Sequence, residues 1–138
     1  MICYAVIDTN VLVSALLSNH TDATMVQLIG RLIRGEVVPI YSAEIMQEYQ
    51  EVLSRKKFKF ELNMINYILA TIEKYGILVE VSSTGVILPD MKDLPFYEVV
   101  MEKRDDNAYL ITGNLKHFPT EPFIVTPRQM LDILDRRK

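Results

Sequence analysis

The sequence predicts an α/β protein: a three-layer α/β/α sandwich around a central, mostly parallel sheet of five strands. Five short runs rich in branched residues recur along the chain, and segments with helical spacing separate them. Strands that alternate with helices pair in parallel through right-handed crossovers. Since domains most often have roughly 100 to 150 residues, we expect one domain over residues 1–138.

The strands are predicted from the apolar runs. They cover residues 2–7, 37–41, 77–81, 108–112 and 123–126. The first run contains Cys3, the single cysteine of the chain, so an internal disulfide is excluded. We expect Cys3 to be a small buried side chain.

Helices are predicted from apolar spacing and from their end signals. An apolar run over residues 11–17 follows Asp8-Thr9-Asn10 and predicts the first helix. Three-and-four spacing predicts two more, which end at Gly35 and Gly76. Their apolar positions are Val26, Ile29, Leu32 and Ile33 in one helix and Ile65, Ile68, Leu69 and Ile72 in the other.

Capping signals predict the remaining helices. Ser42 is a plausible N-cap for a helix over residues 42–55. Pro95 favours a helix start, with Asp93 at or near its N-cap. Thr126 and Gln129 form a predicted capping box around Pro127 at the first helical position.

Composition and charge restrict the class of protein. The charged fraction of 24% and the hydrophobic fraction of 49% are ordinary for a globular protein. No run is long enough for a membrane span and no secretion signal is present, so we expect a cytoplasmic protein without membrane contact. The net charge of −3 argues against general nucleic-acid affinity. The densest local basic segment contains Arg55, Lys56, Lys57 and Lys59, and it is either an exposed solvated face or an RNA contact.

Polar residues follow the first and fourth predicted strands. Asp8 ends the first strand, and Thr112-Gly113-Asn114 ends the fourth, where Gly113 is expected to allow a tight turn and close backbone approach. The carboxyl ends of parallel strands lie along one edge, where open α/β sheets bind ligands. These positions become neighbours if the two strands pair.

Helical phase selects one acid in the helix that follows Ser42. Its apolar stripe is formed by Ile45, Tyr49, Val52 and Leu53. At about 100° per residue, Glu48 lies roughly 100° from the stripe centre, whereas Glu44 and Glu51 lie roughly 140° to 160° away. Glu48 is therefore the acid best placed to reach the rim of the core, although a solvated flank is the simpler interpretation of such a residue.

Other polar residues have simple alternatives to a catalytic role. Asp93 needs no explanation beyond a helix cap. Asp105-Asp106-Asn107 is typical of an ordinary loop, and His117 is typical of a surface loop even if it lies near the site.

Convergence of Asp8, Glu48 and Asp93 beside Asn114 would create a cation site. Like charges at short range raise one another's pKa, and a hard divalent cation such as Mg²⁺ or Mn²⁺ resolves that conflict with oxygen ligands. Zinc is disfavoured because Cys3, His20 and His117 show no ligand spacing. The chain also lacks a Walker A loop, a dinucleotide fingerprint and a nucleophile elbow.

Taken together, these segments look like a PIN-domain ribonuclease. The resemblance rests on four segments in order: Asp8-Thr9-Asn10-Val11 after a strand, the helix from Ser42 through Glu48 to Leu53, Asp90-x-x-Asp93 before a helix, and residues 111–118, Ile-Thr-Gly-Asn-Leu-Lys-His-Phe. It spans nearly the whole chain. It is closest to the branch of toxin components of bacterial and archaeal toxin–antitoxin pairs.

The resemblance implies a site and a mechanism. Asp8, Glu48 and Asp93 would be the metal ligands, with Asn114 as the fourth catalytic position. The supporting residues would be Thr9, which braces the carboxylates by hydrogen bonding, Asn10, which orients a water or caps the first helix, Thr112, and Asp90, which supplies further charge. Many PIN domains have Asp where this chain has Asn114, and the amide adds no negative charge, which favours one firmly bound metal over two.

The expected reaction is metal-dependent hydrolysis of RNA phosphodiester bonds. The resemblance also implies a homodimer and an antitoxin partner that inserts a peptide into the acidic cleft. The basic segment Arg55 to Lys59 would steer the RNA backbone, since phosphate contacts position rather than specify. Two alternatives stay open: a catalytically weak PIN-like domain that binds RNA or a protein, and a metal-dependent phosphatase for a small molecule.

Overall fold

The structure, a computed structural model, describes residues 2–18 and 24–137. These residues form one parallel sheet of five strands and six α-helices. The strands are β1 (Cys3–Ile7), β2 (Val37–Tyr41), β3 (Ile77–Leu78), β4 (Tyr109–Ile111) and β5 (Ile124–Val125). The helices are α1 (Thr9–Leu17), α2 (Thr24–Ile33), α3 (Ala43–Leu53), α4 (Leu62–Tyr75), α5 (Leu94–Glu102) and α6 (Pro127–Arg136). The predicted α/β/α sandwich is confirmed.

The sheet has the strand order β3-β2-β1-β4-β5. In register, Ala5 of β1 pairs with Pro39 of β2 on one side and with Tyr109 of β4 on the other. The chain therefore builds outward from β1 to β3 and then crosses back to add β4 and β5 on the opposite side. The boundary between β1 and β4 is a topological switch point, the place where open α/β sheets bind ligands.

The core lies between the sheet and the helices. Strand residues Ala5, Val6 and Leu110 have no exposed surface. Helix α5 packs across β1, β2 and β4, and the ring of its Phe96 lies 6.2 Å from the ring of Tyr49 in α3, centroid to centroid. Full burial of such side chains stabilises the fold by about 1.5–3 kcal/mol each, so this packing fixes α3 and α5 relative to the sheet edge.

The end signals of the helices are confirmed with few changes. The Ser42 hydroxyl accepts the N–H of Ile45 at 3.2 Å, and the capping box of Thr126 and Gln129 is complete. Gly35 follows α2 with a φ of +80°, a conformation that favours glycine. Cys3 is buried, as predicted.

Two details differ from the prediction. The strand predicted over residues 77–81 ends at Leu78, with one further hydrogen bond from the Val79 N–H to the Tyr41 carbonyl, because β3 is the sheet edge and has a partner on one side only. Gly113 does not make the predicted close approach: its φ is not positive, and an added Cβ would have no heavy atom within 4 Å.

In the described part of the chain, no helix is long and apolar enough to cross a membrane.

Candidate active site

Asp8 lies at the carboxyl end of β1, at the switch point of the sheet. Its N–H extends the ladder by donating to the Ile111 carbonyl at 2.9 Å. Its side chain is only 4% exposed, and Oδ2 accepts a 2.7 Å hydrogen bond from the Thr112 hydroxyl. The N-cap position of α1 is occupied by Asp8 and not by Asn10, and the Asp8 side chain makes no capping bond. Asn10 lies in the first turn of the helix and is exposed.

Burial sets the electrostatics of Asp8. It raises the pKa of the carboxyl above its ordinary value, and the hydrogen bond from Thr112 partly offsets that rise. Backbone N–H groups of Asn10 and Thr9, at the start of α1, also lower the pKa. Asp8 is therefore a buried acid whose charged form is only partly supported by its hydrogen bonds.

Glu48 reaches the same region from α3. It is partly buried, whereas Glu44 and Glu51 on the same helix are exposed, in agreement with the helical phase. Its Oε2 accepts a 2.5 Å hydrogen bond from the hydroxyl of Thr9, the residue after Asp8. Burial raises the pKa of Glu48, and the negative charges of Asp8 and Asp93 raise it further.

Asp93 precedes α5 and approaches from the third side. It stands at the N-cap position without a side-chain capping bond, so the simple capping interpretation does not hold. Instead, its Oδ2 lies 3.1 Å from Nδ1 of His117. Burial raises the pKa of Asp93, the charge of Asp8 adds to that rise, and His117 opposes it.

His117 is a surface-turn residue, as predicted, and its ring also contacts Asp93. It lies in the 3₁₀ turn Leu115–His117, directly after the end of β4, and its side chain is 38% exposed. The sequence signal was its position three residues after Asn114, where a short turn returns the chain to the same sheet edge.

Asn114 and Asp90 are two further acidic or amide residues that the sequence predicts for the site. The Asn114 N–H donates to the Thr112 hydroxyl at 3.0 Å, so Thr112 connects Asn114 to Asp8. Asp90 is exposed and accepts the N–H of Lys92 at 3.0 Å in the turn before α5. Its charge contributes to the raised pKa of Asp93.

The match to known families agrees with this geometry. A family model described as PIN domain matches residues 4–116. The chain belongs to the PIN-domain family. PIN domains are generally nucleases, and the family typically uses divalent metals. No curated protein and no solved structure matches the chain.

The donor set of this PIN domain fits a hard divalent cation by its chemistry. The donor set consists of three carboxylates, and one oxygen of each contacts a hydroxyl or imidazole. Across residues 2–18 and 24–137, no group of three or more His, Cys, Asp or Glu side chains is arranged as a ready metal site. A cation that keeps several waters and takes one or two carboxylates, as Mg²⁺ does, suits such a set. His20 lies outside the described residues.

A groove of about 350 Å³ opens beside Glu48 between α3 and the start of α5. Besides Glu48, it is lined by Glu44, Glu51, Lys92 and Phe96, among others. The groove connects Glu48 to solvent, whereas Asp8 and Asp93 are not among the residues that line it.

The predicted RNA-contact residues lie outside the carboxylate cluster. Arg55, Lys56, Lys57 and Lys59 are all exposed, in and around the 3₁₀ turn Lys56–Phe58 that follows α3.

Tyr49 is a contributor that the sequence interpretation missed. It was assigned only to the apolar stripe of α3, yet its buried hydroxyl donates a 2.5 Å hydrogen bond to the carbonyl of Ile7, the residue before Asp8. Burial raises the pKa of Tyr49 well above its ordinary value, so the phenol stays neutral and keeps its proton for this bond. Tyr49 thereby fixes the helix that carries Glu48 to the strand that carries Asp8.

Proposed function

We propose that this PIN domain is a Mg²⁺- or Mn²⁺-dependent endoribonuclease that hydrolyses RNA phosphodiester bonds. One observation carries the proposal: burial raises the pKa of both Glu48 and Asp93, and the charge of Asp8 raises both further. Acids that oppose one another's ionisation in this way are typical of catalytic sites. A divalent cation is the partner that lets all three ionise together near neutral pH.

Asp8 and Asp93 would hold the cation directly or through water, and Glu48 would bind it or orient the attacking water. When bound, such a cation lowers the pKa of its water and balances charge on the phosphate. The hydroxyl of Thr112 fixes Asp8, the hydroxyl of Thr9 fixes Glu48, and these contacts keep both carboxylates in one orientation. The raised pKa of Glu48 lies closer to neutral pH, which suits an acceptor of the proton from water.

We further propose that the protein is the toxin of a toxin–antitoxin pair and acts in the cytoplasm as a homodimer. The antitoxin would insert a peptide into the acidic groove beside Glu48. Support comes from the resemblance of the segments around Asp8 and Asn114 to toxin components of this family. Expression without an antitoxin should then arrest growth, and Asp8→Asn should relieve the arrest.

The deciding experiment is cleavage of end-labelled RNA by the purified protein with Mg²⁺, with Mn²⁺ and with a chelator. Asp8→Asn should reduce the rate by more than about 100-fold, since even outer partners of a metal ligand contribute about 10- to 100-fold. Asp105→Asn, which changes an exposed loop acid in the same way, is the matched control and should cleave normally. Undiminished metal-dependent cleavage by Asp8→Asn would end the proposal.

The two alternative functions, a binding-only domain and a small-molecule phosphatase, predict different results with the same purified protein. A binding-only domain retains RNA without cleavage at any cation concentration, and Asp8→Asn then changes nothing. The amide of Asn114, which adds no charge to the site, is the feature that favours this candidate. A small-molecule phosphatase instead hydrolyses a chromogenic phosphate monoester and leaves RNA intact.

A further inference from the structure

A basic and aromatic loop follows α3, the helix that carries Glu48. Arg55, Lys56, Lys57 and Lys59 lie within five consecutive positions, 55–59. The rings of Phe58 and Phe60 stack in parallel, with centroids 5.3 Å apart and planes inclined by 8°. Both rings pack against the hydrophobic core but are only partly buried, so part of their aromatic surface is exposed next to the positive charges.

The lysines of this loop lack acidic partners. Arg55 is paired with Glu51 at 3.1 Å, and Nζ of Lys57 lies 5.1 Å from the centroid of Phe58. In the described part of the chain, no carboxylate lies within ion-pair distance of Lys56, Lys57 or Lys59. The charge of the three ammonium groups is therefore available to an outside anion.

The loop begins next to the acidic groove, at Arg55. Glu48 and Glu51 line that groove together, and Arg55 is bonded to Glu51, so the three residues share one face of α3 and its extension. From Glu48 to the last helical residue, Leu53, the helix rises by about 7.5 Å. This rise equals roughly two nucleotides of a stacked strand at about 3.4 Å each.

We propose that residues 55–60 form a subsite for RNA beside the scissile phosphate, in which Phe58 and Phe60 stack on an unpaired base and the lysines contact the adjoining phosphates. The proposal rests on the proposed ribonuclease function and adds to it a named binding surface. Stacking on an aromatic ring requires an unpaired base, whereas lysine contacts alone do not distinguish single strands from duplexes. The stacked pair is thus the element that selects a single-stranded segment.

The test measures binding rather than cleavage, so that it does not depend on catalysis. Fluorescence anisotropy would follow a labelled single-stranded RNA of twelve nucleotides, and the same RNA in a duplex, with the full chain in chelator. One variant is Phe58→Leu with Phe60→Leu, which keeps apolar contact without a stacking face. The other is Lys56→Gln with Lys59→Asn, since Asn tolerates the left-handed backbone of Lys59, whose φ is 56°.

The structure supplies a matched control on another surface. Nζ of Lys74 lies 5.2 Å from the ring of Tyr75, which is 42% exposed, so Lys74→Gln with Tyr75→Leu removes a similar lysine–aromatic contact. Circular dichroism would verify that all variants are folded.

The double leucine variant should bind the single strand roughly 5- to 100-fold more weakly and the duplex unchanged. For the double lysine variant, the slope of log K against log salt concentration in single-strand binding should be smaller in magnitude by about 1.4. Unchanged single-strand binding in both variants, an equal loss in the control, or an equal loss on the duplex in the leucine variant would overturn the proposal. RNA bound through this loop but never cleaved would instead overturn the ribonuclease function and leave the subsite standing.

Discussion

The hydroxyl of Thr112 donates a 2.7 Å hydrogen bond to Oδ2 of Asp8 and joins the ends of β4 and β1. Thr112 has no exposed surface, so water cannot replace this donor. The same hydroxyl accepts the N–H of Asn114 at 3.0 Å. One buried oxygen thus orients the central carboxylate and anchors the turn that leads to His117.

Thr112→Val should weaken both stability and cleavage. Valine keeps the volume but leaves Oδ2 of Asp8 without its donor, and hydrogen bonds to charged groups contribute about 1.5–3 kcal/mol. We expect a loss of that size in the free energy of unfolding, a higher pKa of Asp8 and at least roughly tenfold slower cleavage. Urea denaturation and cleavage rates measure the two effects.

Thr71→Val is the control for this substitution. Thr71 is also buried, but its hydroxyl donates to the Tyr67 carbonyl of its own helix at 2.7 Å, far in sequence from the carboxylates. Replacing Thr71 with valine should lower the free energy of unfolding by about 1 kcal/mol or less and leave the cleavage rate unchanged. Equal losses of activity in the two variants would show that Thr112 has no special role.

Stability should fall as the pH rises through the acidic range. Burial raises the pKa of Asp8, Glu48 and Asp93, so the folded protein binds more protons than the unfolded chain above about pH 4. The free energy of unfolding therefore decreases as the pH passes from the unfolded-state pKa values through the raised folded-state values. Asp8→Asn removes one of these groups, and its profile should be flatter and its stability at pH 7 higher.

Denaturant titrations between pH 4 and pH 8 measure this profile. In the wild type, Mg²⁺ or Mn²⁺ at pH 7 should raise the free energy of unfolding, by about 2.7 kcal/mol when the cation is at 100 times its dissociation constant. Asp8→Asn should gain much less from the cation. A wild-type stability that rises over this pH range would contradict the buried-carboxylate account.

Removal of His117 should shift the acid limb of the pH–activity profile to higher pH. The hydrogen bond and charge of His117 both lower the pKa of Asp93, so His117→Ala raises it and a higher pH is needed to ionise the carboxyl. At pH values well above this limb, the cleavage rate should change less than at pH values on the limb. Lys116→Ala, at an exposed position in the same turn, serves as the control and should keep the wild-type profile.

Local signals in the sequence were sufficient for the fold and for much of the site. Apolar runs identified every strand of the sheet, whereas the pairing of the first and fourth strands was left as a condition and is supplied by the structure. Helical phase separated Glu48 from Glu44 and Glu51 because exposure on one helix depends mainly on the angle from its apolar stripe.

Contacts between distant segments could not be predicted in the same way. The bonds of Tyr49 to Ile7 and of His117 to Asp93 join positions 42 and 24 residues apart, and they depend on how helices and turns pack at the sheet edge. Tyr49 has no neighbour in sequence that would mark it, and the position of His117 three residues after Asn114 does not indicate a contact with Asp93. Tyrosine in an apolar stripe predicts burial, and burial alone does not say where its hydroxyl points.

Gly76 and Gly113 give opposite predictions for the same substitution. At Gly76, between α4 and β3, an added Cβ would lie 2.4 Å from the Ile72 carbonyl oxygen and 2.6 Å from the Pro39 carbonyl oxygen. Its φ of −98° is open to any residue, so the constraint is close approach of the backbone and not conformation. Both neighbours are main-chain atoms, one in α4 and one in β2, and they cannot move without distorting these elements.

We therefore expect Gly76→Ala to destabilise the protein by about 1–3 kcal/mol or more, as overpacking does. Gly113→Ala should stay within about 0.5 kcal/mol of the wild type, because its Cβ would meet nothing within 4 Å and its φ is not positive. Urea midpoints at constant m-value measure the difference. A large loss of stability at Gly113 would contradict the conclusion that neither space nor backbone conformation requires glycine in the turn after Thr112.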